Sequence, residues 1–193
     1  MAHELLMGLA GVFDDGTDSQ SDNPLIRAQN IVLDRWWEMY GYDLSIFLPD
    51  TFGTPFALRH MSEDHARDWK GFRGDSGNLI EEGRRIIEFY KKFGIDPKTK
   101  LYVPSDGLDV GMMIVIDQEL GGQIQLANGW GTNLTNDWGV RNISLVVKAI
   151  RANDKGLVKL SNNLAKATGQ PIDILYYQKL AEYDNKFNET CRY

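Results

Sequence analysis

The sequence predicts an α/β protein built on a parallel sheet or barrel, and two observations support this fold class. First, short apolar runs typical of strands alternate with longer segments of helical periodicity. Second, polar or glycine-rich turns recur at Asp50, Asp75, Asp106 and Gly131, at intervals of 25, 31 and 25 residues. Each turn directly follows a predicted strand, and in parallel sheets and barrels that edge carries the active site.

The first elements of the chain are predicted to be two helices and a strand. Residues 4–12 form an amphipathic helix, and the polar stretch 14–23 forms a loop that ends in an asparagine suited to cap a helix. Pro24 opens the second helix, whose apolar residues recur at helical spacing, and Gly41 closes it. The apolar run 44–48 is short enough to be a buried strand.

The alternation of strands and helices continues from there. A helical segment at about 55–69 precedes a short strand near Phe72. The best-marked helix starts at Asn78 with a capping-box-like pattern and ends at Gly94 after two lysines. The remaining elements before the hairpin are a strand at 101–103, a helix at about 109–120 and a strand at 124–126.

The pattern changes after residue 140. Two apolar segments, 143–150 and 157–160, flank Asn153-Asp-Lys-Gly156, which predicts a hairpin turn. A last helix is expected at about 171–183. We therefore divide the chain into two units, residues 1–140 and residues 141–193.

Composition excludes several classes of function. The formal net charge is −6 and the pI is about 5.1, without the basic stripe of a nucleic-acid binder. No run approaches the roughly 20 apolar residues that cross a membrane, and the N-terminal apolar run lacks the basic start of a signal peptide. The single cysteine, Cys191, allows no disulfide within the chain, so we expect a cytoplasmic protein.

The motif Arg73-Gly-Asp-Ser-Gly77 suits a sugar phosphate. Its carboxylate can accept hydrogen bonds from ribose hydroxyls, and the helix start that follows favours phosphate. Arg73 can pair with a carboxylate or phosphate, or stack on an aromatic ring. A tight turn with a helix cap and a surface ion pair explains the same residues about equally well. Ser105-Asp-Gly107 is equally ambiguous alone.

The segment Asn128-Gly-Trp-Gly-Thr-Asn133 resembles a phosphate cradle lined with backbone amides. Taken alone it is more often a plain turn, and it lacks the lysine of a P-loop and the third glycine of a dinucleotide fingerprint. Recurrence of such motifs at one sheet edge favours the binding interpretation. The histidines do not indicate a metal site. His60 and His65 are five residues apart, whereas paired zinc ligands on a helix are normally four apart.

Four motifs, in order along the chain, together resemble the nicotinate phosphoribosyltransferase family: Met1-Ala-His-Glu4, Arg73-x-Asp-Ser-Gly77, Ser105-Asp-Gly-Leu-Asp109 and Gly129-x-Gly-Thr-Asn-Leu-Thr-Asn-Asp137. Segments 143–148 and 159–161 resemble strands that follow in that family. The similarity extends through nearly the whole chain.

The resemblance implies an enzyme of NAD salvage. It would join nicotinate to 5-phosphoribosyl 1-diphosphate, give nicotinate mononucleotide and release diphosphate, with Mg²⁺ required and ATP hydrolysis coupled through a phosphorylated histidine, which His3 matches. The implied fold is a partial, irregular α/β barrel of the type II phosphoribosyltransferases in residues 1–140. Residues 141–193 would then be a hairpin and helix of a second domain, and the active site would be shared across a homodimer.

The resemblance also assigns roles to residues. Asp75 and Asp106 would hold the ribose and diphosphate, and Arg73 would lie beside the pyridine ring or its carboxylate. Gly129, Gly131 and Thr132 would hold the 5-phosphate. The further substrate-binding candidates are Ser76, Gly77, Ser105, Gly107 and Asn133; the residues that hold the metal stay unassigned.

Three departures from the family pattern bear on this interpretation. Asn78 and Leu79 stand where the family usually has Asp-Pro, and Trp130 replaces a smaller apolar residue. Family members are roughly twice as long, so the resemblance implies the C-terminal half of an enzyme, associated with an N-terminal half and prone to aggregate alone. A nicotinamide phosphoribosyltransferase and a non-catalytic phosphosugar-binding fragment remain alternatives.

Overall fold

The first two helices pack on each other at the start of the chain. The structure, a computed structural model, describes residues 1–14, 16, 23–135, 139–140 and 145–189. Helix α1 (His3–Phe13) packs against α2 (Pro24–Tyr40). The side chain of Asn23 accepts a hydrogen bond from the amide of Leu25, and Gly41 ends α2 with a positive φ of 60°. Both predicted ends of this helix are confirmed.

Four parallel strands form the central sheet, in the order in which they occur along the chain. They are β1 (Ile46–Phe47), β2 (Gly71–Gly74), β3 (Leu101–Pro104) and β4 (Gln125–Leu126). The predicted α/β class with a parallel sheet is confirmed, whereas closure of the sheet into a barrel stays a prediction. The first strand is shorter than expected, because residues Tyr42–Leu44 form a turn of 3₁₀ helix.

Helices connect the strands of the sheet: α3 (Thr54–Arg59) and α4 (Glu63–Asp68) follow β1, α5 (Leu79–Lys92) follows β2 and α6 (Val110–Leu120) follows β3. The prediction of one helix at 55–69 is wrong. Ser62 starts a new helix because its hydroxyl accepts a hydrogen bond from the amide of His65. The predicted start of α5 is confirmed, since the side chain of Asn78 accepts from the amides of Ile80 and Glu81.

Aromatic side chains of the strands form the core under the sheet. Phe47 of β1 contacts Trp69 with ring centroids 5.9 Å apart, and Phe72 of β2 lies 5.7 Å from Tyr90 of α5. All four rings and Tyr102 of β3 are buried. Large aromatic surfaces of this kind contribute much of the hydrophobic free energy of a core. They hold the strands, and therefore the strand ends, in fixed positions.

The C-terminal part contains a short helix, a hairpin and a last helix: α7 (Thr132–Thr135), β5 (Arg151–Ala152), β6 (Lys155–Gly156) and α8 (Pro171–Leu180). The hairpin is confirmed, with Asn153 and Asp154 at positive φ in its turn. The predicted flanking strands at 143–150 and 157–160 are wrong where the structure describes them: β5 and β6 lie closer to the turn, and Lys159 bridges Thr168. Residues 141–144 lie outside the described part, and the division at residue 140 stays a prediction.

Two surface features bear on how the chain is used. Among the residues that the structure describes, no helix has the length and apolar character needed to cross a bilayer. Several large apolar side chains of α6 and of segment 145–150 are exposed, namely Val110, Met112, Ile114, Val115, Leu145, Val146, Val147 and Ile150. Large apolar side chains exposed in this way are typical of surface that another part of a protein or another subunit covers.

Candidate active site

The polar turns that follow β1, β2 and β3 meet at one edge of the sheet. Asp50 lies in a 3₁₀ turn after β1, Asp75 directly follows β2, and Ser105 and Asp106 directly follow β3. The strands are parallel, so their carboxyl ends lie side by side. The helix start of α1 brings His3 to the same place. The structure thus assembles side chains that are far apart in sequence.

His3 and two aspartates form a compact cluster in this edge. The Nε2 atom of His3 lies 3.3 Å from Asp75 Oδ2 and 3.7 Å from Asp50 Oδ1, and its Nδ1 atom lies 2.9 Å from Thr51 Oγ1. Both His3 and Asp50 are buried. Because a carboxylate only accepts, we assign the Nε2 proton to the Asp75 side, with the Thr51 hydroxyl donating to Nδ1.

Lys159 supplies positive charge to the two carboxylates. Its Nζ atom lies 3.3 Å from Asp50 Oδ2 and 3.5 Å from Asp75 Oδ2, and its side chain is buried. A buried carboxylate is stable only when a cation or hydrogen-bond donors compensate its charge. Lys159 therefore bridges the two carboxylates and supplies the compensating positive charge.

These contacts shift the pKa values of His3 and Asp75. Burial lowers the pKa of His3, although the neighbouring Asp75 and Asp50 oppose this shift. Burial alone would raise the pKa of Asp75, but the hydrogen bond with His3 and the charges of Lys159 and Arg73 hold it well below its usual range. The site at neutral pH is thus a neutral imidazole beside an ionised carboxylate.

Arg73 is oriented by the groups around it. Its guanidinium donates to Asp75 Oδ1 at 2.8 Å and to Ser105 Oγ at 3.1 Å, and the Ser105 hydroxyl donates to the carbonyl of Gly74 at 2.8 Å. The side chain of Arg73 remains 38% exposed, so part of the guanidinium faces solvent. This geometry leaves Arg73 able to contact an anion or a flat ring.

Asp106 is paired with Lys166. The ammonium of Lys166 donates to Asp106 Oδ1 and, at 3.2 Å, to the carbonyl of Asp75. Gly107 follows in the turn. The pair adds a third carboxylate and a third cation to the sheet edge that holds Asp75.

Ser76 and Gly77 connect the edge to the C-terminal part of the chain. Ser76 is buried, and its hydroxyl donates to Asp50 Oδ2 at 2.5 Å and accepts from the amide of Asn162 at 2.9 Å. Gly77 has a φ of 76°, and a Cβ atom there would lie 3.0 Å from the Cβ of Asn162. A side chain at this position would be strained and crowded. Ser76 thus holds the carboxylate rather than facing the open cavity.

The glycine-rich segment after β4 only partly joins the cluster. Gly129 lies against Ser105, since its amide donates to the carbonyl of Pro104 at 2.9 Å and a Cβ atom would lie 2.6 Å from Ser105 Cβ. Thr132 begins α7, a short helix that the sequence did not predict, and Asn133 donates to the carbonyl of Leu108 at 3.0 Å. Residues 136 and 137 of this motif lie outside the described residues.

A cavity of about 610 Å³ opens beside the cluster. Cationic groups from different elements line it together with His3 and Asp75: Arg73, Lys148, Lys159 and Lys166. The described lining does not include Asp106, Gly107, Gly131, Thr132 or Asn133. Four cations and one carboxylate thus line the cavity, and this excess of positive charge suits a ligand with several phosphate groups.

The sequence did not assign a role to four of these residues: Asp50, Lys148, Lys159 and Lys166. Asp50 stood at a recurring turn, and this position was the signal that it belongs with Asp75. Lys159 is 84 residues from Asp75, and such contacts leave no trace in local pattern. Outside this site, His65 pairs with Asp34 at 2.7 Å and His60 packs on Phe56.

A divalent cation would find suitable donor atoms in this cluster. His3, Asp50 and Asp75 each bring one ligand atom within 4.8 Å of the others, and Asp50 Oδ1 is buried with no hydrogen-bond partner among the described residues. Carboxylate oxygens are the ligands that Mg²⁺ prefers. Lys159 already contacts the Oδ2 atoms of both aspartates, so it competes with a cation for them.

The departures from the expected motif have local explanations in part. Asn78 caps α5, so its amide does the work of a helix cap and adds no charge to the site. The indole nitrogen of Trp130 is buried without a hydrogen-bond partner in the described part of the chain, and nothing in the structure explains this residue.

Comparison with known proteins gives one consistent family. The model of the nicotinate phosphoribosyltransferase (NAPRTase) family matches residues 1–189. Among solved structures, the nicotinate phosphoribosyltransferase from Porphyromonas gingivalis is similar, with a TM-score of 0.81, 29% identity, and coverage of 94% of this chain and 46% of that one.

Two further solved structures agree with this result. The nicotinate phosphoribosyltransferase from Vibrio cholerae matches with a TM-score of 0.83, 27% identity, and coverage of 95% of this chain and 43% of that one. A putative nicotinate phosphoribosyltransferase from Saccharomyces cerevisiae matches with a TM-score of 0.83, 25% identity, and coverage of 95% and 45%. The chain spans less than half the length of each of these proteins.

Proposed function

The chain belongs to the nicotinate phosphoribosyltransferase family, and from this premise we propose that its site transfers a phosphoribosyl group from 5-phosphoribosyl 1-diphosphate to nicotinate. The observation that carries the proposal is the edge of the sheet, where four cations and Asp75 line one cavity and Lys159 joins Asp75 to the buried Asp50. The product would be nicotinate mononucleotide, with diphosphate released. The activity is that of the whole protein, of which this chain would supply the described site.

The charges of the site fit this reaction. When diphosphate leaves, positive charge builds at the anomeric carbon of the ribose, and a nearby ionised carboxylate stabilises it more in the transition state than in the ground state. Asp75 is ionised and 24% exposed, so it is suited to this role. Lys166 and Lys148 would hold phosphate oxygens. Asp106 would accept hydrogen bonds from the ribose or approach the diphosphate through the metal.

Arg73 would recognise the nicotinate. Its guanidinium is fixed by Asp75 and Ser105 while part of it stays exposed, so it can pair with the carboxylate of nicotinate or stack on the ring. Gly129, which lies against Ser105, would bring backbone amides close to the 5-phosphate, with Gly131 and Thr132 completing that cradle.

Magnesium and ATP belong to the same proposal. Asp50 and Asp75 are the residues that would hold Mg²⁺, which, when bound, neutralises charge on the leaving diphosphate. His3 would accept the terminal phosphoryl group of ATP, with ADP leaving; its imidazole is neutral, and attack by Nε2 requires that this atom first pass its proton to Asp75. The exposed apolar surface of α6 and segment 145–150 would be covered by the rest of the protein or by a second subunit. A cytoplasmic location, expected from the single cysteine, completes the proposal.

Base selectivity of the full protein tests this function. We expect turnover of nicotinate to exceed that of nicotinamide by about 10²-fold in kcat/KM, because only nicotinate offers Arg73 a carboxylate. Mononucleotide formation from each base, at equal 5-phosphoribosyl 1-diphosphate, measures this ratio. A preference for nicotinamide would contradict this function and support a nicotinamide phosphoribosyltransferase instead. Tight binding of 5-phosphoribosyl 1-diphosphate with no product from either base would leave a non-catalytic binding protein.

A further inference from the structure

Glu82 of α5 lies in a buried polar cluster behind the active site that the proposed reaction does not use. Its side chain is 5% exposed. It contacts the side chains of Thr54, Tyr102 and Asn162, all of them uncharged. A buried carboxylate without a cation among its partners is strongly disfavoured compared with the neutral acid. The contacts of Glu82 therefore favour a proton on its carboxyl group.

The hydroxyl of Tyr102 indicates which oxygen of Glu82 carries the proton. Tyr102 Oη lies 2.8 Å from the carbonyl oxygen of Leu79 and 3.2 Å from Glu82 Oε2. A carbonyl oxygen can only accept, so the single hydroxyl proton of Tyr102 points to Leu79. A lone pair of Tyr102 then faces Glu82 Oε2. Two lone pairs would repel, so the hydrogen bond on this side requires a proton on Glu82.

The other oxygen of Glu82 behaves as a carbonyl. Oε1 accepts from the hydroxyl of Thr54 at 2.6 Å and from the side-chain amide of Asn162 at 3.0 Å. The same amide lies 2.8 Å from Thr54 Oγ1, which accepts from it and donates to Glu82. With one proton on Oε2, these contacts pair each donor with an acceptor. If Glu82 is the uncharged acid, every hydrogen bond in the cluster has one donor and one acceptor. If Glu82 is a carboxylate, its contact with Tyr102 has two acceptors and no donor.

Asn162 connects this cluster to the active site. Its backbone amide donates to Ser76 Oγ at 2.9 Å, and the Ser76 hydroxyl donates to Asp50 Oδ2 at 2.5 Å. Its side-chain oxygen accepts from the amide of Thr54 at 2.8 Å. The same segment of chain, residues 157–163, carries Lys159. Whatever fixes Asn162 thus also fixes the hydrogen bond to Asp50 and the approach of Lys159.

We propose that Glu82 is an uncharged carboxylic acid at neutral pH and acts as a positioning residue, which holds segment 157–163 against Asp50 and Ser76. Any effect of this positioning on the binding of 5-phosphoribosyl 1-diphosphate rests on the proposed function. The protonation of Glu82 and its positioning role do not. Gly74 makes room for the arrangement, because a Cβ atom there would collide with Tyr102 Oη and lie 2.5 Å from Glu82 Oε2.

Electrostatics agrees with this assignment. Burial, together with the charge of Asp50, raises the pKa of Glu82 to about 8, although the hydrogen bonds from Thr54 and Asn162 oppose this shift. The titratable groups that face Glu82 are Tyr102 of β3 and Asp50 of the turn after β1. Burial raises the pKa of Tyr102 as well, so Tyr102 stays protonated while Glu82 titrates.

The sign of the pH dependence follows from this shift. The folded protein keeps a proton on Glu82 that the unfolded chain releases above its ordinary pKa of about 4.5. Folding therefore becomes less favourable as pH rises from about 5 to about 8, by up to about tenfold in the folding equilibrium constant per pH unit. Above that window Glu82 is ionised in both states, and its contribution no longer changes.

Glu82→Gln is the matched test, because glutamine has the shape of the neutral acid and its amide can donate to Tyr102. We expect the full-chain wild type to lose folding stability between pH 5 and 8 relative to this variant, measured by denaturant unfolding at each pH. Glu88→Gln, at an exposed position of the same helix, is the control and should keep the wild-type slope. Equal slopes for wild type and Glu82→Gln, or a Glu82→Gln chain that does not fold, would overturn the proposal.

Positioning is tested by amide hydrogen exchange of segment 157–163 at pH 7 and pH 9. We expect the ratio of the wild-type exchange rate to the Glu82→Gln exchange rate to rise about tenfold from pH 7 to pH 9. Equal exchange at both pH values would overturn the positioning role. Titration with 5-phosphoribosyl 1-diphosphate then separates the two proposals. If the protein does not bind 5-phosphoribosyl 1-diphosphate but shows the expected exchange result, only the proposed function is contradicted. If it binds but the wild type does not lose exchange protection at pH 9 relative to Glu82→Gln, the positioning role is contradicted.

Discussion

Replacing Lys159 by methionine is expected to lower the free energy of unfolding by about 3–5 kcal/mol at neutral pH. The substitution keeps most of the aliphatic stem but removes the buried ammonium that lies 3.3 Å from Asp50 and 3.5 Å from Asp75. Asp50 is fully buried, so water cannot compensate its charge. Denaturant unfolding of wild type and variant at pH 7 measures the loss.

The control for this prediction is Lys98→Met, which removes an ammonium from an exposed turn and should change stability by less than about 0.5 kcal/mol. The difference between wild type and Lys159→Met should narrow as pH falls toward about 4, because loss of Lys159 raises the pKa of Asp75 and its protonation then removes the uncompensated charge. A Lys159→Met protein as stable as the wild type at pH 7 would show that the cluster does not depend on this cation.

Asp75→Asn is expected to reduce kcat/KM of the full protein by about 10²–10³-fold. The substitution keeps the size of the side chain and removes the negative charge that meets Arg73, Lys159 and His3. The loss should fall mainly on kcat, because the charge acts on the transition state rather than on binding. Steady-state rates of nicotinate mononucleotide formation measure it.

Asp43→Asn is the matched control, since Asp43 is exposed in the turn before β1 and should leave the rate unchanged. Unfolding of each variant at the assay temperature separates lost chemistry from lost protein. If folded Asp75→Asn retained kcat/KM within about twofold of the wild type, Asp75 would not belong to the reacting site.

Local physics explains which elements the sequence could predict. The cap of α5 by Asn78 and the end of α2 at Gly41 depend only on residues nearby in the chain, so the local sequence predicts them. The break between α3 and α4 was missed because Ser62 interrupts a pattern that is otherwise helical. The second hairpin strand was placed wrongly because residues 158–160 turn to other partners: Lys159 bridges Thr168, and the amide of Leu160 donates to the carbonyl of Thr51.

The candidate site was predictable where parallel topology alone brings residues together. Asp75 and Ser105 follow adjacent strands, so their proximity is a consequence of the sheet. Lys159 and Lys166 arrive from a distant loop, and their contacts with Asp75 and Asp106 span 84 and 60 residues. The proton on Glu82 depends on a hydroxyl orientation set by Leu79, which no sequence pattern reports.

The most direct test of the central claim, that this sheet edge binds 5-phosphoribosyl 1-diphosphate, is calorimetric titration of the full protein. We expect one molecule to bind per chain, and an Asp106→Ala variant that remains folded to bind at least about tenfold more weakly, because Lys166 loses its partner and the ribose or metal loses a ligand. No binding by the wild type, or equal binding by Asp106→Ala, would contradict the account and place the substrate elsewhere.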